Sequence, residues 1–329
     1  MIHSRRKFIA ASSAIVGAQA LWPALARAQE KYPSKPVRII VPFAPGAASD
    51  TLGRFAAEAL TSALKQTFIV ENRSGGGTVI GTRAVASAPP DGYLLGFVDT
   101  TFVINPGLLG SQLTYDTVKD FEPITQICTA PFVLVVHPSV KAQTLAEFIA
   151  LAKANPGTLS YGSSGVGSAP HLAGQQLRQE AGIDVVHVPY RGGSTVYTDL
   201  MGGQIQFSFG TVPSLLEHIK SGRMRALALT TPSRVAALPD VPTMAESGYP
   251  GVNTEPLFGL VAPAQTPREI VAQIQSVVAT SVASGELNAK LKGIGFTPIG
   301  STSEAFAETI KKNIAMWTDV IRRGNIKPE

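Results

Sequence analysis

The chain has 329 residues, with 28 Lys and Arg against 23 Asp and Glu and a single cysteine. Four of the cations, Arg5, Arg6, Lys7 and Arg27, fall in the first 28 residues, where no acid occurs, so the rest of the chain carries 24 basic and 23 acidic side chains. That near balance, without a Lys/Arg run or a basic stripe interleaved with aromatics, excludes nucleic-acid binding; one cysteine excludes an intramolecular disulfide and any cysteine-based metal cluster.

Along the chain, Ser4-Arg5-Arg6-Lys7-Phe8 precedes an apolar run from Ile9 to Trp22 and then Ala26-Arg27-Ala28. Basic region, apolar region and small-residue site, in that order, describe a secretory signal peptide over residues 1–28, cleaved after Ala28. The paired arginines, with Ser before and Phe two residues after, point to the twin-arginine route and hence to a periplasmic protein. The apolar run is too short and too interrupted for a membrane anchor. Strand-like and helix-like segments then alternate. Val37–Val41 reads as a strand, Asp50–Leu64 as a helix, and Gly92–Val98 and Phe132–Val136 as strands. Leu145–Ala154 reads as a helix stopped by Asn155-Pro156-Gly157. Strand and helix follow over Leu159–Tyr161 and Pro170–Ala181, Val185–Val188 and Ser194–Met201, then Ile205–Phe209 and Pro213–Lys220. Arg225–Leu229 and Phe258–Ala262 are strands, and helices close the chain near Pro267–Ala283 and Ser303–Arg323.

This alternation predicts an α/β fold with parallel sheets flanked by helices, and about 300 residues are too many for one simple sheet. The expected division is a first lobe of residues 29–130 and 255–329 interrupted by a second lobe of residues 131–254. The apolar strands Phe132–Val136 and Phe258–Ala262 mark the two crossovers. Cys128, in the apolar stretch Ile127–Val136, reads as a small buried hydrophobe.

Ligands of parallel sheets collect where strands end and helices begin. Two such loops stand out: Phe43-Ala44-Pro45-Gly46-Ala47-Ala48-Ser49-Asp50 and Gly162-Ser163-Ser164-Gly165-Val166-Gly167-Ser168-Ala169. Small residues let backbone N–H groups approach a ligand, and each loop enters a helix whose free N–H groups and dipole favour an anion. One carboxylate held between the two loops would close a cleft. Taken alone, either loop is equally a turn with Ser49 or Asp50 as a helix N-cap. Further strand ends offer Thr100 and Thr101 after Asp99, Tyr190 and Arg191, and Gly210 and Thr211. The Arg191 guanidinium has the geometry for a second carboxylate, although such an arginine is more often an ion-pair partner at the surface. No G-x-S-x-G, H-E-x-x-H, P-loop or G-x-G-x-x-G pattern occurs, and His137, His187 and His218 lack metal-ligand spacing. His171, close to Ser163, is as easily a packing residue as a base. Catalysis, a cofactor and a metal are therefore not expected, with a periplasmic hydrolase as the remaining enzymatic alternative.

The segments Tyr32–Arg38, Val41–Gly46, Val70–Arg73, Ala88–Tyr93, Ile104–Pro106, Val118–Phe121, Val135–Ser139, Pro170–Gly174, His187–Tyr190, Leu238–Thr243 and Gly259–Pro263 resemble, in order, the receptors of tripartite tricarboxylate transporters, the Bug receptors. The resemblance implies a two-lobed periplasmic binding protein, a type II flytrap, with each lobe a mainly parallel sheet and two hinge crossovers. It implies that a small di- or tricarboxylate is held by Phe43, Gly46, Ala47, Ser49 and Asp50 from the first lobe and by Ser163, Ser164 and Gly165 from the second. Asp50 would cap the helix and order its loop, since a carboxylate does not pair with an anion. The implied partner is the membrane permease of such a transporter; a sensor protein is the alternative, and a monomer the default. Gly46-Ala47 stands where many relatives have two glycines, and Gly210-Thr211 where many have Asp-Asn. These departures point to a ligand that is bulkier, or that lacks the ammonium group of an amino acid: a dicarboxylate, aromatic or aliphatic.

Overall fold

A computed structural model describes residues 32–190 and 193–328. The leader with its cleavage point, together with Arg191 and Gly192, lies outside the described residues. From Lys35 on, the chain begins β1 (Val37–Val41), α1 (Ala48–Leu64), β2 (Phe68–Asn72), α2 (Val79–Ala86), β3 (Leu94–Asp99), α3 (Thr100–Leu109) and β4 (Phe121–Thr129). It continues with β5 (Phe132–Val136), α4 (Leu145–Ala154), β6 (Ser160–Ser163), α5 (Ala169–Ala181), β7 (Val186–Pro189), α6 (Gly193–Met201), β8 (Phe207–Thr211), α7 (Val212–Lys220) and β9 (Arg225–Leu229). It ends with β10 (Leu257–Pro263), α8 (Arg268–Ser284), α9 (Glu286–Gly293), β11 (Thr297–Pro298) and α10 (Ser303–Gly324).

Two sheets form, ordered β11-β4-β10-β3-β1-β2 and β7-β6-β8-β5-β9. The parallel pairings expected from the βα alternation are β1 with β2 and β3, and β6 with β7 and β8. The rest are antiparallel, so each sheet is mixed rather than mainly parallel: β10 opposes β3 and β4, β11 opposes β4, and β5 opposes β8 and β9. Topology explains this. The βα strands of each sheet end at one edge, where their helices begin. A strand that enters a sheet from the other sheet starts at that same edge and must run against them. β5 and β10 are those two strands.

The two crossovers lie side by side. The link from β4 to β5 is Ala130-Pro131, and the return follows β9. The Thr129 hydroxyl donates to the Pro256 carbonyl at 2.7 Å, and the Thr230 N–H donates to the Phe132 carbonyl at 2.9 Å. Bonds between the two crossing segments fix their register.

Burial follows the periodicity of each element. β1 buries four of its five residues, and α1 buries Leu52, Ala56, Ala57 and Leu60 at helical spacing. Gly53 lets α1 lie close on the sheet, because a Cβ there would stand 2.8 Å from Val41 Cγ2. In the second sheet β5 is buried on both faces: Phe132, Leu134 and Val136 join Phe148, Tyr161 and Phe207, while Val133 and Val135 join Val196, Leu215 and Met224. In the first sheet α10 buries Phe306, Ile310 and Trp317 against Phe102 and Phe121. That cluster also takes in Leu172 of α5, and Gln179 donates to the Val320 carbonyl at 3.1 Å, so α5 and α10 tie the two sheets together beyond the crossovers.

Candidate functional site

At the carboxyl end of β1 the chain turns through Phe43–Gly46 into α1. Gly46 has φ +84, a conformation that favours glycine. The helix N-cap is Ala47, with no side-chain cap, so neither Ser49 nor Asp50 occupies that position. Asp50 is buried inside the first turn and organises the loop instead. It accepts the Gly46 N–H at 2.9 Å, the Asn72 amide at 2.9 Å and the Arg54 guanidinium at 2.9 and 3.1 Å. Burial pushes the Asp50 carboxyl up, but Arg54, the Gly46 N–H and Asn72 outweigh it and hold the group below its ordinary value. Asn72 also donates to the Phe43 carbonyl at 3.0 Å, so one amide braces both ends of the turn. The acid is thereby neutralised within the loop. The first N–H groups of α1, on Ala48, Ser49 and Asp50, have no partner inside the helix.

Two further features border this edge. Residues Gly75, Gly76, Gly77 and Thr78 all have positive φ, and Asn105 holds the Gly77 carbonyl at 3.0 Å. Sequence reasoning passed over this loop, although its Gly-Gly-Gly run was the available signal. At the end of β3, Asp99 caps α3 by accepting the Thr101 N–H at 2.8 Å. Burial pushes the Asp99 carboxyl up to about 6, with Thr101 acting against it. The Thr101 hydroxyl lies 3.1 Å from that of Thr78. Thr100 is buried and accepts the Leu257 N–H at 3.2 Å, which places it in the second crossover.

The loop after β6 is self-contained. Ser163 is fully buried; its hydroxyl donates to the Gly165 carbonyl at 3.0 Å and accepts the Gly165 N–H at 3.2 Å. The same oxygen lies 2.6 Å from His187 Nε2. With the hydroxyl proton on Gly165, the imidazole is the donor. His171 Nδ1 accepts the Gly167 N–H at 3.0 Å, and the two imidazoles stack with centroids 3.9 Å apart and planes within 13°. Burial pushes His171 down to about 3, helped by His187, and burial pushes His187 down to about 4. Both rings are therefore neutral at ordinary pH and serve as fixed struts. Ser163 reaches no solvent, so its closeness to His187 does not make it an accessible nucleophile. Ser168 donates to the Gly165 carbonyl through N–H and hydroxyl. The N–H groups of Gly165, Gly167 and Ser168 are turned inward, which leaves those of Ser164 and Val166 and the first turn of α5 for a ligand. Ser164 is exposed, and Gly165 has φ +121.

The remaining residues singled out in the sequence complete the same edge. The Tyr190 ring lies over Gly162, whose Cβ would stand 3.2 Å from Cε2, and its hydroxyl donates to Asp199 at 2.8 Å. Gly210 is buried, and the Thr211 hydroxyl lies 2.8 Å from that of Ser214. Arg191 falls outside the described residues. Two contacts bring this edge against the first sheet's lobe: Leu108 packs on Gly167, and Pro213 lies 2.7 Å from where a Gly295 Cβ would stand. Among the described residues no group of three His, Cys, Asp or Glu is placed to hold a metal. The chemistry on offer is hydrogen-bond donation to an anion by backbone N–H groups at helix starts.

Known proteins resemble this chain in sequence and fold. The family model described as tripartite tricarboxylate transporter family receptor matches residues 52–326. Protein BugT of Bordetella pertussis is 33% identical over 299 residues, 91% of this chain and 92% of its own length. A protein of R. palustris, solved with adipate, is 32% identical with a TM-score of 0.79 over 91% of this chain and 100% of that one. MatC from Rhodopseudomonas palustris, with bound malate, is 26% identical with a TM-score of 0.75 over 88% and 100%. On the two-lobed fold and these matches, the chain belongs to the tripartite tricarboxylate transporter receptor family and is a solute-binding protein.

Proposed function

We propose that this protein captures a small dicarboxylate between its lobes in the periplasm and delivers it to the membrane permease of a tripartite transporter. The lobes are residues 29–130 with 255–329, and residues 131–254, after removal of residues 1–28. The observation that carries the reading is the state of the two loops. Asp50, the acid nearest the first loop, is neutralised by Arg54 and Asn72, while N–H groups at the starts of α1 and α5 remain for an anion. Donors come from the N–H groups of Ala48 and Ser49 on one side and of Ser164 and Val166 on the other, and the small residues Gly46, Ala47 and Gly165 let a ligand approach them. Ser163 and Asp50 hold these loops in shape from behind. The relatives solved with adipate and malate support a diacid.

The test is a thermal-shift screen of the mature protein, refolded to strip ligand, against adipate, malate, citrate, terephthalate, aspartate and glutamate. A diacid at about 100 times its dissociation constant raises stability by ~2.7 kcal/mol, a clear shift in melting temperature. A strong response to a diacid supports the reading. Selective response to aspartate or glutamate contradicts a diacid without an ammonium group, and no response to any carboxylate contradicts the reading as a whole.

A further inference from the structure

One polar group at the second lobe's edge stands outside the hydrogen-bond network of the loops. Tyr197, one turn into α6, packs its ring on the cluster formed by Val133, Val196 and Leu215. Its hydroxyl lies 2.6 Å from the position of a Cβ on Gly210 and 3.7 Å from that of a Cβ on Gly193. Gly210 sits near the end of β8, and Gly193 opens α6 just after β7. Since β7 and β8 flank β6 in the sheet, the phenol reaches across the strand ends beneath the β6–α5 loop.

Neighbouring hydroxyls along this edge are engaged. Tyr190 donates to Asp199, Thr211 pairs with Ser214, Ser163 donates to Gly165, and Ser208 donates to the Gly162 carbonyl. The Tyr197 side chain is half-buried, and burial pushes its hydroxyl up to about 12. Among the described residues no hydrogen bond engages this neutral phenol, which leaves its O–H to donate to a ligand. Asp199, the carboxylate on the same helix, is already held by Tyr190. The Tyr197 hydroxyl therefore reaches this part of the edge as a donor for a carboxylate oxygen.

We propose that Tyr197 is a specificity-determining residue that donates its hydroxyl to the second carboxylate of a bound diacid, in the room left by the absence of a side chain at Gly210. This rests on the diacid-receptor reading above, in which the first carboxylate occupies the helix starts. Gly210 is as much a part of the device as the tyrosine, because any side chain there displaces the phenol.

The test is calorimetric titration of the mature wild type, Tyr197→Phe and Gly210→Ala with three matched pairs: succinate and butyrate, adipate and hexanoate, terephthalate and p-toluate. Melting temperatures serve as the folding control. Loss of a hydrogen bond to a charged group weakens binding about tenfold or more. Tyr197→Phe is expected to weaken the best diacid by about that factor and to leave its monoacid partner unchanged. Gly210→Ala keeps the tyrosine but moves its hydroxyl, and the same selective loss is expected. Wild-type diacid binding that both variants retain overturns this proposal alone, as does an equal loss for diacid and monoacid. A wild type that binds none of the diacids overturns the receptor reading and this proposal with it.

Discussion

Replacing both stacked histidines by amides that do not titrate, His171→Asn with His187→Gln, is expected to flatten the protein's acid sensitivity. In the folded state the two rings sit at about 3 and about 4, against an ordinary value of 6.5. Between pH 6.5 and those values the unfolded chain binds protons that the folded chain refuses, so stability falls as pH falls. At pH 4.5 the unfolded rings are almost fully charged and the folded ones neutral. Two pH units below 6.5, at 1.36 kcal/mol each, give a loss of about 2–3 kcal/mol per ring and roughly 5 kcal/mol for the pair. Asparagine still offers an acceptor to the Gly167 N–H, and glutamine a donor to Ser163, so the loop keeps its bonds. Urea unfolding at pH 7.5 and 4.5 reads the difference directly. The double variant should lose about 5 kcal/mol less than the wild type over that interval. Equal losses in both proteins would refute the claim that buried neutral histidines hold the β6–α5 loop.

Two further changes probe the loops. Asp50→Ala removes the acceptor of the Gly46 N–H and leaves Arg54 uncompensated beside the anion site; we expect a destabilisation of about 1–3 kcal/mol by urea unfolding and weaker diacid binding by calorimetry, since the turn loses its brace. Gly46→Val and Gly165→Val place β-branched residues at φ +84 and +121, where they do not fit. Each should weaken binding in the same titration while circular dichroism remains that of a folded protein.

The sequence reads well where periodicity and capping agree. Leu145–Ala154 has apolar residues at helical spacing, Thr144 at its N-cap and Asn155-Pro156-Gly157 beyond it, and the helix runs over those ten residues. Reading fails where tertiary contacts overrule local pattern. β4 carries Glu122, Pro123, Thr125 and Gln126, a poor strand signal, yet pairing with β10 on one side and β11 on the other makes it one. α3 contains Asn105-Pro106-Gly107, which reads as a turn, but its Asp99 cap and its packing on α10 carry the helix through. Strand direction at the crossovers was likewise invisible, since it depends on which edge the chain enters.

At the site, the two glycine-rich loops were legible because small residues between a strand and a helix leave a local signature. Their supports were not. Asp50 meets Asn72 across 22 residues, and Ser163 meets His187 across 24, through contacts that exist only once β1 lies beside β2 and β6 beside β7. Alternation along a four-residue strand does not say which face its last side chain takes, and Ser163 points inward. The Thr100 hydroxyl likewise accepts an N–H from β10, 157 residues further on.

The most direct test of the central claim is a crystal structure of the mature protein with the diacid that gives the largest thermal shift, at a resolution that shows ordered water. Carboxylate oxygens are expected within about 2.7–3.2 Å of backbone N–H groups at the starts of both α1 and α5, or one bridging water away. A diacid held chiefly by side-chain cations, or bound outside the edge formed by the ends of β1, β6 and β8, would contradict it.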